Sequence, residues 1–172
     1  SLKFYERCLR WPKIVAMAPW RVSKKNDYMA IPNDHPENLK YAKLFAAMAM
    51  VIPTHGYILY SDNNWDKRNG YDYGHSYYEF YNLDLGQATS TMQAVVEGVA
   101  FKTFKNGYIV YNRLDKPVSV ALTDNTNLQV PAMTGLFCRR LEKEMDCKSS
   151  DKVDIKSVSP IPVSLPKYDR TP

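Results

Sequence analysis

The sequence predicts an α/β chain in which parallel βα units precede an antiparallel β-meander. Three observations lead there. Short apolar runs at 13–18 and 57–61 flank a good helix at 37–51, the strand–helix–strand order of a right-handed crossover in a parallel sheet. Past Leu83 the texture changes to closely spaced strand-like segments joined by turn residues, among them Asn106-Gly107. With 45% hydrophobic and 24% charged residues in 172, the composition is that of a globular chain with a core.

Taken in order, Leu2-Lys3-Phe4-Tyr5-Glu6-Arg7-Cys8-Leu9 mixes apolar and charged residues at helical spacing, and Pro12 forbids continuation beyond Trp11. Lys13-Ile14-Val15-Ala16-Met17-Ala18 is too short for an independent helix and reads as a buried strand closed by Pro19. Pro32, Asn33, Asp34 and Pro36 favour turns, so a loop follows Trp20. From Glu37 to Val51, Leu39, Ala42, Leu44, Phe45, Ala47, Met48 and Met50 form a broad apolar face, and Pro53 stops the helix. Its alanines suit a close approach to a sheet. Tyr57-Ile58-Leu59-Tyr60-Ser61 is a second short strand, 62–76 a loop, and Tyr77–Tyr81 one or two helical turns.

Val99–Phe104, Tyr108–Asn112 and Val118–Leu122 read as strands. Asn-Gly is a strong hairpin signal because both residues tolerate positive φ, so a three-stranded meander is expected, the third strand lying alongside the second. The proline-bearing tail from Lys148 reads as an extended strap over the domain, a PxxP-type ligand being the other reading. The organisation is therefore 1–82 for the βα units, 83–147 for the hairpin and meander region, and 148–172 for the tail.

The formal charge of +5 is spread along the chain, with Lys24-Lys25 and Arg139-Arg140 as the basic doublets, a pattern that does not suit a nucleic-acid face. Seven glycines without a phosphate-loop grouping, and three cysteines without a CxxC pair, give no cofactor or metal expectation. Two readings of the cysteines stand: a local Cys138–Cys147 disulfide in an oxidising, secreted or cell-surface setting with Cys8 as a buried thiol, or three free cysteines. No run approaches the roughly twenty apolar residues of a membrane span.

Tyr81-Asn82-Leu83-Asp84-Leu85-Gly86, followed by the run from Phe101 through Asn106-Gly107 to Asn112 and by Lys116-Pro117-Val118-Ser119-Val120, resembles the end of glycoside hydrolases with a hydrolase-like TIM barrel. Those proteins close with a "dLG.p" segment, an "R.F.nG.vlvNp" hairpin and a "kpv.v.l" strand. Lys102 stands where the family has arginine, and Arg113 where proline is commoner. The resemblance covers residues 1–135 in outline and is most specific around the hairpin. It implies the C-terminal portion of a (β/α) barrel, with catalytic carboxylates upstream of Ser1 or on another chain.

In such a barrel the functional loops follow the strand ends, here at Trp20 and at Asp62. Asp62-Asn63-Asn64-Trp65-Asp66 combines carboxylates and amides for sugar hydroxyls with an indole for a sugar face, and Tyr71 and His75 continue the style. Asp62 and Asp66 are the candidate catalytic pair, since glycoside hydrolysis needs two carboxyls. Trp20, Asn63, Trp65, Tyr71 and His75 are the candidate contacts for an oligosaccharide or polysaccharide. The plainer readings are a capped turn at 62–66, a rim position for Trp20, and, for Glu79 among its aromatic neighbours, either a general acid or an exposed helix side. A non-enzymatic carbohydrate-binding or structural protein in an assembly is the alternative function. Two barrel strands cannot close a sheet, so Ile14, Val15, Ala46, Met48 and Met50 are expected to be buried mostly by the upstream half of a precursor or by other subunits, together with the local hairpin.

Overall fold

The computed structural model describes residues 2–10, 15–17, 36–53, 56–58, 64–66, 71–74, 77–142, 144–147 and 153–154. Helix α1 (Leu2–Cys8) opens the chain, and α2 (Pro36–Val51) starts on a proline, whose missing N–H is no loss in a first turn. Strands β1 (Val15–Met17) and β2 (Gly56–Ile58) flank α2 and pair in parallel, Val15 opposite Gly56. Among the described residues the other strand pairs are antiparallel. Strands β3 (Asn64–Asp66) and β4 (Tyr71–Gly74) form a ribbon, and β5 (Tyr77–Tyr78) runs into a 3-10 turn at Glu79–Asn82.

The main sheet is built from β6 (Gln93–Val96), β7 (Val99–Phe104), β8 (Gly107–Asn112), β11 (Thr134–Arg140) and β12 (Met145–Asp146), in the spatial order β12-β11-β8-β7-β6. Two further strands, β9 (Val118–Ala121) and β10 (Asn127–Val130), make a separate hairpin. A last short strand, β13 (Val153–Asp154), pairs with β5.

Side-chain alternation in the central strands explains the layering. Ala100 and Phe104 of β7, Ile109 and Tyr111 of β8 and Phe137 of β11 join one core with Ala42, Leu44, Ala46, Ala47 and Val51 of α2. Val99 and Phe101, Tyr108 and Val110 form a second core with Val120, Leu122 and Val130 of the β9–β10 hairpin. Every position of β8 is buried. Helix α2, the five-stranded sheet and the β9–β10 hairpin are thus stacked in that order.

This architecture overturns the (β/α)-barrel expectation. Among the described residues the parallel pairing is confined to three residues of β1 and β2, and α2 lies on an antiparallel sheet formed by later sequence. Its alanine stripe does make a close helix–sheet contact, but the partner is Gly135. A Cβ there would overlap the Lys43 carbonyl oxygen and come within 2.5 Å of the Ala47 Cβ. The apolar side of α2 is accordingly covered within the chain, with Ala46 buried and Met50 40% exposed. Ile14 lies outside the described residues.

Phe101 to Phe104 does pair antiparallel with Tyr108 to Asn112, with Phe101 opposite Val110 and Phe104 opposite Gly107. The reason differs from the expected one. Positive φ occurs at Asn125, Met133, Gly86 and Gly98, not in the turn at 105–106 or at Gly107. Gly107 is a strand residue, required because a Cβ would run into the Cys138 carbonyl of β11. The third strand of the expected meander is also corrected: β9 pairs with β10, and β11 takes the place beside β8. Both faces of β7 and β8 are apolar, so each needs a cover; β9 placed in the sheet would leave Val99, Phe101, Tyr108 and Val110 bare.

Cys138 and Cys147 are joined in a disulfide that closes the β11–β12 hairpin. Cys8 is exposed, not buried as expected, because α1 turns Leu2 inward and leaves its other residues outside or half-covered. No described helix is long and apolar enough to cross a membrane.

Candidate functional site

Of the nominated residues, Trp20, Asp62, Asn63 and His75 lie outside the described residues. Trp65 and Asp66 belong to β3, and Tyr71 opens β4. Part of the expected 62–76 loop is therefore a β-ribbon, consistent with the preference of Trp and Tyr for extended backbone. Its register sets Trp65 opposite Asp72 and Asp66 opposite Tyr71, with an irregularity between Asn64 and Trp65. At two successive register positions an aromatic residue thus stands opposite an acidic one.

The polar residues of the hairpin stretch have structural tasks. Buried Lys102 extends from the α2 side of β7, and its Nζ donates to the carbonyl oxygens of Met50 and Pro53, 2.8 Å each. A cation there satisfies otherwise unpaired carbonyls at the negative end of a helix. Burial lowers the Lys102 pKa from its usual value, and the Glu6 carboxylate works in the opposite direction. Asn112, fully buried, shares its two Nδ2 hydrogens among the carbonyls of Lys116 (2.8 Å), Val130 (3.2 Å) and Pro131 (3.0 Å). Its Oδ1 accepts the Leu114 N–H at 2.9 Å. One amide thereby ties the end of β8 to the turn before β9 and to the end of β10.

A third polar group, at the tip of the β9–β10 hairpin, was not apparent in the sequence. The Arg140 guanidinium donates to Tyr108 Oη at 2.9 Å and to Asp124 Oδ2 at 3.0 Å, and Tyr108 Oη lies 3.2 Å from Thr123 Oγ1. Partial burial acts to raise the Asp124 pKa, but hydrogen bonds from the Thr126 hydroxyl and N–H, from Tyr108 and from Arg140 outweigh it and hold the carboxyl at about 2. The Arg139-Arg140 doublet, which follows Thr134-Gly135-Leu136-Phe137-Cys138, was the available signal; without the strand assignment it carries only charge. Glu79 begins the 3-10 turn, half-buried between buried Tyr78 and Phe80. Among the described residues no group of His, Cys, Asp and Glu side chains gathers as a metal site.

The depressed Asp124 pKa has a definite sign. The unfolded carboxyl titrates near 3.8 and the folded one near 2, so its stabilising contribution is full above the unfolded value and disappears as pH falls toward 2. Asp124→Asn should lower stability at pH 7 by less than about 1 kcal/mol, since the ion pair is solvent-exposed and screened by salt. The difference between wild type and variant should shrink toward pH 2 in urea titrations. An undiminished difference at pH 2 would show that the carboxylate charge is not its source.

Comparison with protein-family models, curated proteins and solved structures finds no match to this chain.

Proposed function

We propose that the chain contributes carbohydrate contacts, without itself cleaving the glycosidic bond, to a glycoside-hydrolase-like protein whose acids are supplied upstream or by another chain. The β3–β4 ribbon is the observation that carries this reading. Its register opposes Trp65 to Asp72 and Asp66 to Tyr71, and sugar recognition uses those two chemistries together: a ring face for CH groups and carboxylates for hydroxyls. The chemistry of the described sheet agrees with a supporting role. Lys102 and Asn112 are engaged with backbone carbonyls in the core, and Asp124, held at about 2, stays ionised at neutral pH and is a poor proton donor.

Trp65→Ala tests the reading in calorimetric titrations with a panel of neutral and acidic oligosaccharides. A central anchor lost at the interface should weaken binding by about 1–3 kcal/mol, with the unfolding midpoint of the protein compared in parallel. Unchanged affinity in a folded variant rejects the ribbon as the contact surface.

A further inference from the structure

At the end of the main sheet away from the Asn112 network, a cleft of about 530 Å³ opens where three segments meet: the loop at Asp84, the β7–β8 turn at Lys105-Asn106, and the end of β11 from Arg139 to Glu142. Its frame is tied together by backbone hydrogen bonds. The Asn106 N–H donates to the Leu85 carbonyl at 2.9 Å, the Arg140 N–H to the Asn106 carbonyl at 2.8 Å, and the Leu141 N–H to the Glu144 carbonyl at 2.8 Å. The Asp84 loop is closed on itself by the Gly86 N–H donating to Asp84 Oδ1 at 2.9 Å. The backbone beneath the cleft is thus held without a ligand, while exposed side chains on it are ordered only on binding.

The side chains on this frame divide into committed and uncommitted groups. Arg140 is held by Tyr108 and Asp124. Lys105 and Arg139 are exposed and form no side-chain hydrogen bond or ion pair among the described residues. A guanidinium offers a planar fork that matches a carboxylate, and a nearby ammonium adds charge without demanding geometry. Asp84 and Glu142 line the same cleft; they would repel a compact anion, yet accept hydrogen bonds from hydroxyls. Leu141, 37% exposed, adds an apolar surface. A ligand that satisfies all of these carries one carboxylate and several hydroxyls.

We infer that this cleft is a subsite for a carboxylate-bearing sugar, a uronic-acid residue of an acidic glycan, with Arg139 and Lys105 on the carboxylate and Asp84 and Glu142 on hydroxyls. The inference rests on the carbohydrate reading above and names the ligand class for it.

The test is titration of the full chain with tetragalacturonate and with its fully methyl-esterified, uncharged counterpart, at low and at physiological salt. The acid should bind about tenfold more tightly than the ester, with the preference weakening as salt is added. Arg139→Ala combined with Lys105→Ala should abolish that preference and leave the unfolding midpoint unchanged, both side chains being exposed. The inference is overturned if the acid binds no better than the ester, if neither binds, or if the double variant keeps the preference. Its failure is separable from failure of the underlying reading: Trp65-dependent binding of uncharged oligosaccharides without acid preference removes only this subsite, whereas absence of binding across the whole panel removes both.

Discussion

Asn112→Ala is expected to lower the stability of the protein by about 3–5 kcal/mol, a large part of what a domain of this size possesses. The loss does not come from packing alone. Truncation leaves the Lys116, Val130 and Pro131 carbonyls and the Leu114 N–H without the partners that the buried amide supplies. Water cannot replace them readily at Val130, which is fully buried. Asn112→Asp is the informative companion: it keeps the acceptor for Leu114 but turns a donor toward three carbonyls into a charged acceptor, so it should destabilise at least as much at neutral pH. Urea unfolding of both variants measures the effect. A change within about 0.5 kcal/mol for Asn112→Ala, the range of ordinary surface substitutions, would mean that the amide is dispensable.

Gly135→Val should act on the other face of the sheet with an effect of about 3 kcal/mol or more, at the upper end of what overpacked cores show. The new Cβ would occupy space held by the Lys43 carbonyl oxygen and by the Ala47 methyl, both on α2, and a helix backbone cannot yield locally without losing hydrogen bonds. The helix must move off the sheet as a unit, opening the core formed by Ala42, Leu44, Ala46, Ala47 and Val51 with Phe137 and Ile109. Hydrogen exchange should therefore show α2 amides losing protection while β9 and β10, on the opposite face, keep theirs. Equal loss in both layers would show that they unfold together and that the helix is not a separable layer.

Much of the local structure was legible in residue type. Helix α2 follows from its run of helix formers and from Pro53; the β7–β8 hairpin follows from the apolar runs on either side of Lys105-Asn106. The edge elements were less legible, because β6 and β12 are short and β10 alternates weakly. Strand β11, although long, reads first as a glycine, a cysteine and a basic doublet. The candidate site divides similarly. Asp66, Trp65 and Tyr71 are chemically conspicuous in sequence, but their antiparallel register is not, whereas Lys105 and Arg139 acquire meaning only when a turn and a strand end lie side by side.

The sequence by itself determined the parts whose causes are local: where α2 begins and ends, which segments extend, and that Phe101 to Phe104 folds back on Tyr108 to Asn112. Only the tertiary structure decided what each part faces. An alanine-rich helix fits a parallel barrel strand and an antiparallel sheet equally well, because the helix side of the contact requires only small residues. The choice was made by Gly135, far along the chain, which leaves room for the α2 backbone. The outer face of β7 and β8 was likewise too apolar to remain in water, and the β9–β10 hairpin leaves the sheet to cover it. Burial of both faces of the central strands is a property of the assembled layers, so no reading of one segment at a time could assign it.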